Sequence, residues 1–438
     1  MRKWTGRLLA AVLAVSQVPA AVRTVTILHT NDVHARLSAL ADGRGGFAAL
    51  AAVIRNERAQ CTGCILLNAG DLVQGSPVST IFHGLPVFEI ANMLGFDAAT
   101  LGNHDFDYGW MQARRFVQAA NYPIVSANVI GSDGQLFTPR PYVILRANGV
   151  RVAVIGAMTD DLHNLTTPSL MGEWHESPMT AAVRKYAAQL RGESDLVVLL
   201  GHITSEEEQS LLRSAPQIPV LVTGHVHNGL EHEITREGRI LVRVKAYGEE
   251  LGRLELQVDT EKKAPVAWTW KRIPVDGSII PPAADVAAQV SRWEEEVSRR
   301  VDRPLAISAR KFDQAAVRLL IEQAMREETG ADFAFLNAGG VRDTLPEGQL
   351  LVRNIWDIMP FDNRVVFGKF KGRDLPPAVL RGRRVDPDHQ YTLAVTDFTA
   401  ANQSAEEQLQ TRGLEFSGDG GLLRDLLVDW FGKKKRIE

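Results

Sequence analysis

Short runs of apolar and β-branched residues recur along the first half of the chain, and a polar or glycine-containing segment follows each of them. Their length and composition predict buried β-strands. An amphipathic helical pattern, with Phe47, Leu50 and Ile54 on one face, separates the first two runs and indicates a βαβ unit. The runs cover residues 24–28, 64–68, 98–101, 195–200 and 220–223.

The chain has 438 residues, which exceeds the usual limit for one hydrophobic core, so we expect two domains. Further short β-rich runs predict a two-sheet sandwich flanked by helices. Past Asp259, prolines and a charged helical segment at 292–300 indicate a linker. The expected division is a signal peptide at 1–20, a catalytic domain at 21–260, a linker with a helix at 261–302 and a substrate domain at 303–438.

The first twenty residues have the order of a cleaved signal peptide: basic residues, an apolar stretch, then small residues ending at Ala20. The apolar stretch is shorter than the roughly 20 residues that span a bilayer, which argues against a retained anchor. We therefore expect a periplasmic or secreted protein without a membrane span. Export would favour a disulfide between Cys61 and Cys64, and a redox role for this Cys-Thr-Gly-Cys motif is the alternative.

The polar segments after the five strands carry candidate metal ligands. One Asp-x-His triplet alone would be weak evidence, but five strand ends with such side chains are hard to attribute to chance. Carboxylate and amide oxygens mixed with imidazoles, without a thiolate, favour Mn²⁺, Zn²⁺, Fe²⁺ or Co²⁺. The polar side chains at these five strand ends are Asp32 and His34, Asp71, Asn103 and His104, His202, and His225 and His227.

These segments read HTNDVHA, NAGDLVQG, LGNHDFDYG, GHIT and TGHVH. In this order they resemble the calcineurin-like metallophosphoesterases, and more closely the bacterial 5'-nucleotidase/UDP-sugar hydrolase family. The resemblance covers nearly the whole chain after residue 20. It implies an α/β protein with a four-layer α/β/β/α metallophosphoesterase sandwich, followed by a smaller C-terminal α/β substrate-binding domain.

The resemblance also implies two divalent metal ions that share Asp71. Such a pair attracts a phosphate and lowers the pKa of a shared water. His104 and Asp107 correspond to a catalytic dyad, in which the carboxylate orients the imidazole. The implied ligands of one ion are Asp32, His34, Asp71 and His227, and those of the other are Asp71, Asn103, His202 and His225.

The second domain is expected to supply substrate specificity. Arg342 ends a glycine-rich loop that resembles the family's substrate loop, and an arginine fork suits a phosphate. Phe398 resembles the base-stacking aromatic and Asp419 the ribose-binding acid, while Arg381 is a further candidate for phosphate or sugar. There is no aromatic between Leu375 and Tyr391, where the family has a second base-stacking residue. We therefore expect loose discrimination among bases.

The sequence thus predicts an exported dinuclear-metal phosphoesterase that hydrolyses nucleotides, with 2',3'-cyclic nucleotides and UDP-sugars as further possible substrates. The alternatives are another small phosphoester, a thiosulfonate-type conjugate of sulfur oxidation, or a non-catalytic binding protein of the same fold. A net charge of −3 argues against a nucleic-acid polymer as partner, because such binders usually carry a basic excess. We expect a monomer.

Overall fold

The structure is a computed structural model that describes residues 22–40, 42–401, 409 and 415–438. The predicted signal peptide at 1–20 lies outside the described residues. Within them, none of the helices combines the length and the apolar character needed to cross a membrane. The predicted α/β fold class is confirmed, with a two-sheet N-terminal part and a smaller mixed C-terminal part.

The N-terminal part contains the elements up to Pro274. Its helices α1–α8 are Phe47–Ala59, Pro77–Phe82, Leu85–Ala91, Trp110–Ala119, Leu162–Leu165, Pro168–Met171, Met179–Leu190 and Ser205–Ser214. Its strands β1–β14 are Val22–Thr30, Cys64–Asn68, Ala98–Thr100, Ile124–Val125, Val129–Ile130, Tyr142–Ala147, Val150–Met158, His175–Glu176, Leu196–His202, Val220–Gly224, Ile234–Arg236, Arg239–Val242, Glu250–Asp259 and Ala264–Pro274.

Two six-stranded sheets form the centre of this part, in the orders β14-β13-β1-β2-β3-β4 and β11-β12-β10-β9-β7-β6. Strands β1 to β4 are parallel, as are β7, β9, β10 and β12. Alternate residues of both sheets, such as Ile27, Leu67, Val198 and Val222, share one buried core. Because parallel strands end at the same edge, the segments after them converge there.

The stretch predicted as a linker is largely folded onto the N-terminal part. Residues Ala264–Pro274 form β14, which pairs antiparallel with β13. Helix α9 (Ala284–Val301) buries Val286, Val290 and Val297 in the same core as the helices over the first sheet. Of the prolines that suggest a linker, Pro265 and Pro274 lie on β14, and Pro281 and Pro282 lie in the short segment between β14 and α9. The domain boundaries stay a prediction.

The C-terminal part has a core of its own, built on two three-stranded sheets, β17-β15-β20 and β16-β19-β18. Its strands β15–β20 are Pro304–Ser308, Phe333–Ala334, Gly348–Leu351, Val365–Lys371, Gln390–Thr396 and Arg436–Ile437. Its helices α10–α14 are Gln314–Thr329, Val352–Ile358, Pro377–Leu380, Asp397–Ala401 and Leu423–Lys434.

Cys61 and Cys64 form a disulfide that links the end of α1 to the start of β2, with the two Cα atoms 6.0 Å apart. It closes a loop of only a few residues. Since the entropy removed from the unfolded chain grows with loop length, this disulfide contributes little to global stability. Its effect is local, because it lies at the amino end of β2, whereas the candidate metal ligands follow the carboxyl ends of the strands.

Candidate metal centre

The candidate ligands lie just past the carboxyl ends of β1, β2, β3 and β10, and at the last residue of β9. The loops are tight, and the backbone is left-handed at five of the seven ligand positions. An L-residue rarely adopts this conformation without a compensating constraint. The φ values are 50° at Asp32, 50° at His34, 53° at Asp71, 85° at His225 and 63° at His227.

The residues that could hold a metal include one compact group: Asp32, His34, Asp71 and His227 each offer a ligand atom within 4.8 Å of the others. His34 Nε2 lies 2.9 Å from His227 Nε2 and 3.7 Å from Asp71 Oδ2. His227 Nε2 lies 3.7 Å from Asp32 Oδ1. This convergence of nitrogens and carboxylate oxygens fits a divalent cation between them.

A second group adjoins the first at Asp71. His202 Nε2 lies 3.2 Å from Asp71 Oδ2 and 3.1 Å from Asn103 Oδ1. His225 Nδ1 lies 3.1 Å from the same Asn103 oxygen. Asp71 Oδ2 is buried without a hydrogen-bond partner, as is expected of an oxygen placed to bind a cation.

The surrounding protein orients these side chains. His202 Nδ1 lies 2.8 Å from the carbonyl of Ala69, so a proton on Nδ1 leaves the lone pair of Nε2 facing the cluster. The backbone N–H of His104 donates to Asp71 Oδ1 at 3.0 Å, which leaves Oδ2 for the cluster. A Cβ on Gly102 would lie 1.9 Å from Asp71 Oδ1, so the close approach of the two loops requires glycine there.

Burial sets the protonation of several of these groups. It lowers the pKa of His225 and of His227 to about 3, which keeps both imidazoles neutral and able to ligate. It raises the pKa of Asp32 to about 6, and the nearby carboxylate of Asp71 adds to this effect. A bound cation would offset that repulsion. The residues present therefore fit the divalent metals that this family uses.

His104 and Asp107 lie next to the cluster. His104 Nδ1 is 2.8 Å from Asp107 Oδ2, and the His104 ring centroid is 5.4 Å from that of His34. Burial alone would lower the pKa of His104, but the charges of Asp107 and Asp71 and the hydrogen bond to Asp107 outweigh it and raise the pKa. The imidazole is thus held in a form that can donate a proton from Nε2.

A cavity of about 680 Å³ opens over the cluster, between the N-terminal and C-terminal parts. Arg342 reaches the cluster from the C-terminal side, with Nη2 at 3.4 Å from His34 Nε2. Phe398, the candidate base-stacking residue, also lines the cavity. The residues that line its inner end include Asp71, Asn103, His104, Asp107, His225, His227, Arg342, Phe361 and Phe398.

The structure does not bring Arg381 or Asp419 to this cavity. Arg381 Nη2 donates to Glu322 Oε1 at 2.7 Å, and Asp419 Oδ1 accepts from Arg364 Nε at 2.8 Å. Each charge is thus neutralised by a partner far away in sequence. Neither residue lines the cavity in this structure, which differs from the expectation that both contact the substrate.

Phe361 is the residue that the sequence analysis missed. Its ring centroid lies 5.9 Å from that of His104, and the Arg342 guanidinium lies 5.8 Å from the same ring. The carbonyl of Pro360 accepts hydrogen bonds from Gln74 Nε2 at 3.2 Å and Thr80 Oγ1 at 2.9 Å. These contacts fix the aromatic ring against the N-terminal part. In the sequence, the only local sign of this role is the Pro360-Phe361 pair, which follows α11.

Two family models match the chain. The calcineurin-like phosphoesterase model matches residues 25–229, and the model of the 5'-nucleotidase C-terminal domain matches residues 292–381. A 5'-nucleotidase precursor from Thermus thermophilus has a similar fold, with a TM-score of 0.83, 22% identity and coverage of 95% of this chain and 97% of that chain.

Among relatives, a 5'-nucleotidase of Vibrio parahaemolyticus is 25% identical over 410 residues, which cover 80% of this chain and 73% of that protein. The endonuclease YhcR of Bacillus subtilis is 24% identical over 457 residues, covering 87% of this chain but only 37% of that much longer protein. Both models and the fold agree with the resemblance seen in the motifs. The chain therefore belongs to the calcineurin-like phosphoesterases that carry a 5'-nucleotidase C-terminal domain, a class of metal-dependent phosphoric ester hydrolases.

Proposed function

We propose that this protein removes the phosphate group from nucleotides, using two divalent metal ions bound at the strand ends. The observation that carries the proposal is the pair of ligand groups that meet at Asp71, with His104 and Arg342 converging on the same cavity. When bound, the metal ions supply positive charge for the phosphate and an activated water. The proposed ligands are Asp32, His34, Asp71 and His227 for one ion, and Asp71, Asn103, His202 and His225 for the other.

The residues of the chain have separate roles in this reaction. Arg342 binds non-bridging oxygens of the phosphate, for which its planar fork is suited. His104 donates a proton from Nε2 to the departing oxygen, and Asp107 holds the imidazole in the required orientation through the 2.8 Å hydrogen bond. The cavity of about 680 Å³ between the two parts of the chain provides the space for the substrate beside these residues.

Phe398 and Phe361 provide apolar surface for the organic part of the substrate, because both line the cavity. Phe361 supplies the aromatic contact that the short segment between Leu375 and Tyr391 lacks. A flat face of this kind packs against any base, since every base has a π-face. We propose modest discrimination among AMP, GMP, CMP and UMP for this reason.

The test is hydrolysis of these four nucleotides, a 2',3'-cyclic nucleotide, a UDP-sugar, 4-nitrophenyl phosphate and its diester, with Mn²⁺ or Zn²⁺ added. Inorganic phosphate is measured for the monoesters, and nitrophenol or the nucleotide product is measured for the other substrates. Nucleoside monophosphates are expected to be the best substrates. Activity on the diester or on DNA alone would contradict the proposal. No hydrolysis of any of them by the metal-loaded protein would favour the alternative of a binding protein.

We also propose that the protein is exported, with processing after Ala20. The basic, apolar and small-residue order of positions 1–20 supports this. Mass spectrometry of the protein recovered from the periplasm or the medium is the test. Mature protein that begins at residue 21 is expected, and an intact Met1 in that material would contradict it.

A further inference from the structure

An ion pair crosses between the N-terminal and C-terminal parts beside the metal cluster. Arg36 Nη2 lies 2.9 Å from Asp343 Oδ2. Arg36 follows the candidate ligand His34 by two residues, and Asp343 directly follows Arg342. The pair therefore joins the loop that carries a metal ligand to the loop that carries the arginine at the cluster.

Arg36 is oriented by a residue that itself contacts the cluster. Its guanidinium lies 5.1 Å over the ring of Tyr247. The Tyr247 ring centroid is 5.6 Å from the rings of both His34 and His227, and its backbone N–H donates to the carbonyl of Asp32 at 2.7 Å. Stacking on a fixed ring restricts the planar fork of Arg36 and directs it toward Asp343.

The opposite loop is equally constrained. The backbone N–H of Arg342 donates to the carbonyl of Ile358 at 3.0 Å, and Asp343 Oδ1 accepts from the backbone N–H of Thr344 at 2.7 Å. The side chains of Arg36 and Asp343 are only 23% and 30% exposed. Solvent and salt therefore screen this pair less than an ion pair on the open surface.

We propose that Arg36 and Asp343 are positioning residues, and that their ion pair sets how closely Arg342 approaches the metal cluster. Neither residue lines the cavity, so neither is expected to touch the substrate. Breaking the pair lets the loop of Arg342 move away from His34 and weakens the hold on a phosphate group. This inference rests on the proposed function, in which Arg342 binds that group.

The experiment is a double-mutant cycle with Arg36→Gln, Asp343→Asn and the double variant. Each single variant is expected to raise KM for 4-nitrophenyl phosphate about three- to tenfold, with kcat changed less than about twofold. The dissociation constant of inorganic phosphate, measured by calorimetry on the metal-loaded protein, is expected to rise by the same factor. The double variant is expected to resemble either single variant, because both remove one shared interaction.

The matched control is Arg55→Gln, which breaks the bidentate pair with Asp285 on the surface between α1 and α9. It is expected to leave KM and phosphate affinity unchanged. A purely structural role for the Arg36–Asp343 pair would lower Tm while leaving both quantities within about twofold of wild type, and that result would overturn the inference. Additive effects of the two single variants would also overturn it.

The two proposals fail in different ways. If the wild-type protein hydrolyses none of the substrates, the proposed function fails. The dissociation constant of inorganic phosphate still reports whether the Arg36–Asp343 pair affects binding through Arg342. If wild type is active and the single variants bind phosphate as wild type does, only the positioning role fails.

Discussion

Asp107 Oδ2 accepts a hydrogen bond from Nδ1 of His104 at 2.8 Å, which leaves Nε2 of this cavity-lining imidazole for another partner. This arrangement predicts that His104→Ala lowers kcat without loss of metal. The expected decrease is about 10²- to 10⁴-fold, as is usual for a general acid. Metal analysis beside steady-state kinetics checks it. Loss of metal in His104→Ala would mean that the side chain is a ligand instead.

Asp71→Asn should reduce the content of both metals, because Asp71 Oδ2 lies near His34 of one ligand group and His202 of the other. An amide keeps the shape of the side chain but removes its negative charge. Elemental analysis after dialysis is the measurement, and Asp419→Asn, which lies outside the cavity, is the control expected to retain metal. Retention of one full equivalent by Asp71→Asn would argue against a bridging role.

Phe361→Ala and Phe398→Ala should each raise KM for a nucleotide more than for 4-nitrophenyl phosphate. A stacked aromatic pair is worth about 0.5 to 1.5 kcal/mol beyond burial, which corresponds to a roughly two- to tenfold change. Steady-state kinetics with both substrates gives the comparison. Arg381→Ala is the control, since this side chain is paired with Glu322, and its KM is expected to match that of wild type. Equal effects of the Phe variants on both substrates would place the base elsewhere.

Asp357→Asn should stabilise the protein at neutral pH and less so in acid. Burial raises the pKa of Asp357 to about 7, and the charge of Asp343 adds to the effect. The folded state therefore binds a proton that the unfolded state has lost, so stability falls as pH rises from about 4 to about 7, by at most about 1.4 kcal/mol per pH unit. The stability of Asp357→Asn does not fall in this way with pH, because the asparagine side chain does not titrate.

Unfolding by denaturant at pH 5 and pH 7.5 measures the difference. The advantage of Asp357→Asn over wild type should be larger at pH 7.5. Asp285→Asn provides a contrast, because Arg55 lowers the pKa of Asp285 to about 2, so this carboxylate is charged in the folded and the unfolded state at both pH values. The effect of Asp285→Asn on stability is therefore expected to be the same at pH 5 and pH 7.5. An advantage of Asp357→Asn that is the same at both pH values would contradict the assigned cause.

Local sequence was sufficient for the first half of this structure. The strands before Asp32, Asp71 and His225 are short apolar runs, and the geometry of parallel sheets brings the ends of such strands together without further information. The expected ligands therefore converge in the fold. Their roles in binding metal stay a prediction.

Contacts between distant segments explain where the structure differs from the sequence-based expectations. The partner of Arg381 is Glu322 and that of Asp419 is Arg364, and no periodicity shows such pairings. Phe361 reaches the cavity because Gln74 and Thr80 hold the carbonyl of Pro360, a contact between the two parts of the chain. The sequence shows which of these side chains are charged or aromatic. Which residues they contact depends on tertiary packing.

The left-handed backbone at five ligand positions has a consequence for attempts to engineer this protein. Each such residue costs on the order of 1 kcal/mol relative to an unstrained conformation. Glycine at Asp32, His34 or His227 would relieve part of that cost while removing a candidate ligand. At these positions, a substitution that stabilises the fold would therefore weaken metal binding. A screen that rewards only heat resistance in metal-free medium would select against the proposed metal ligands.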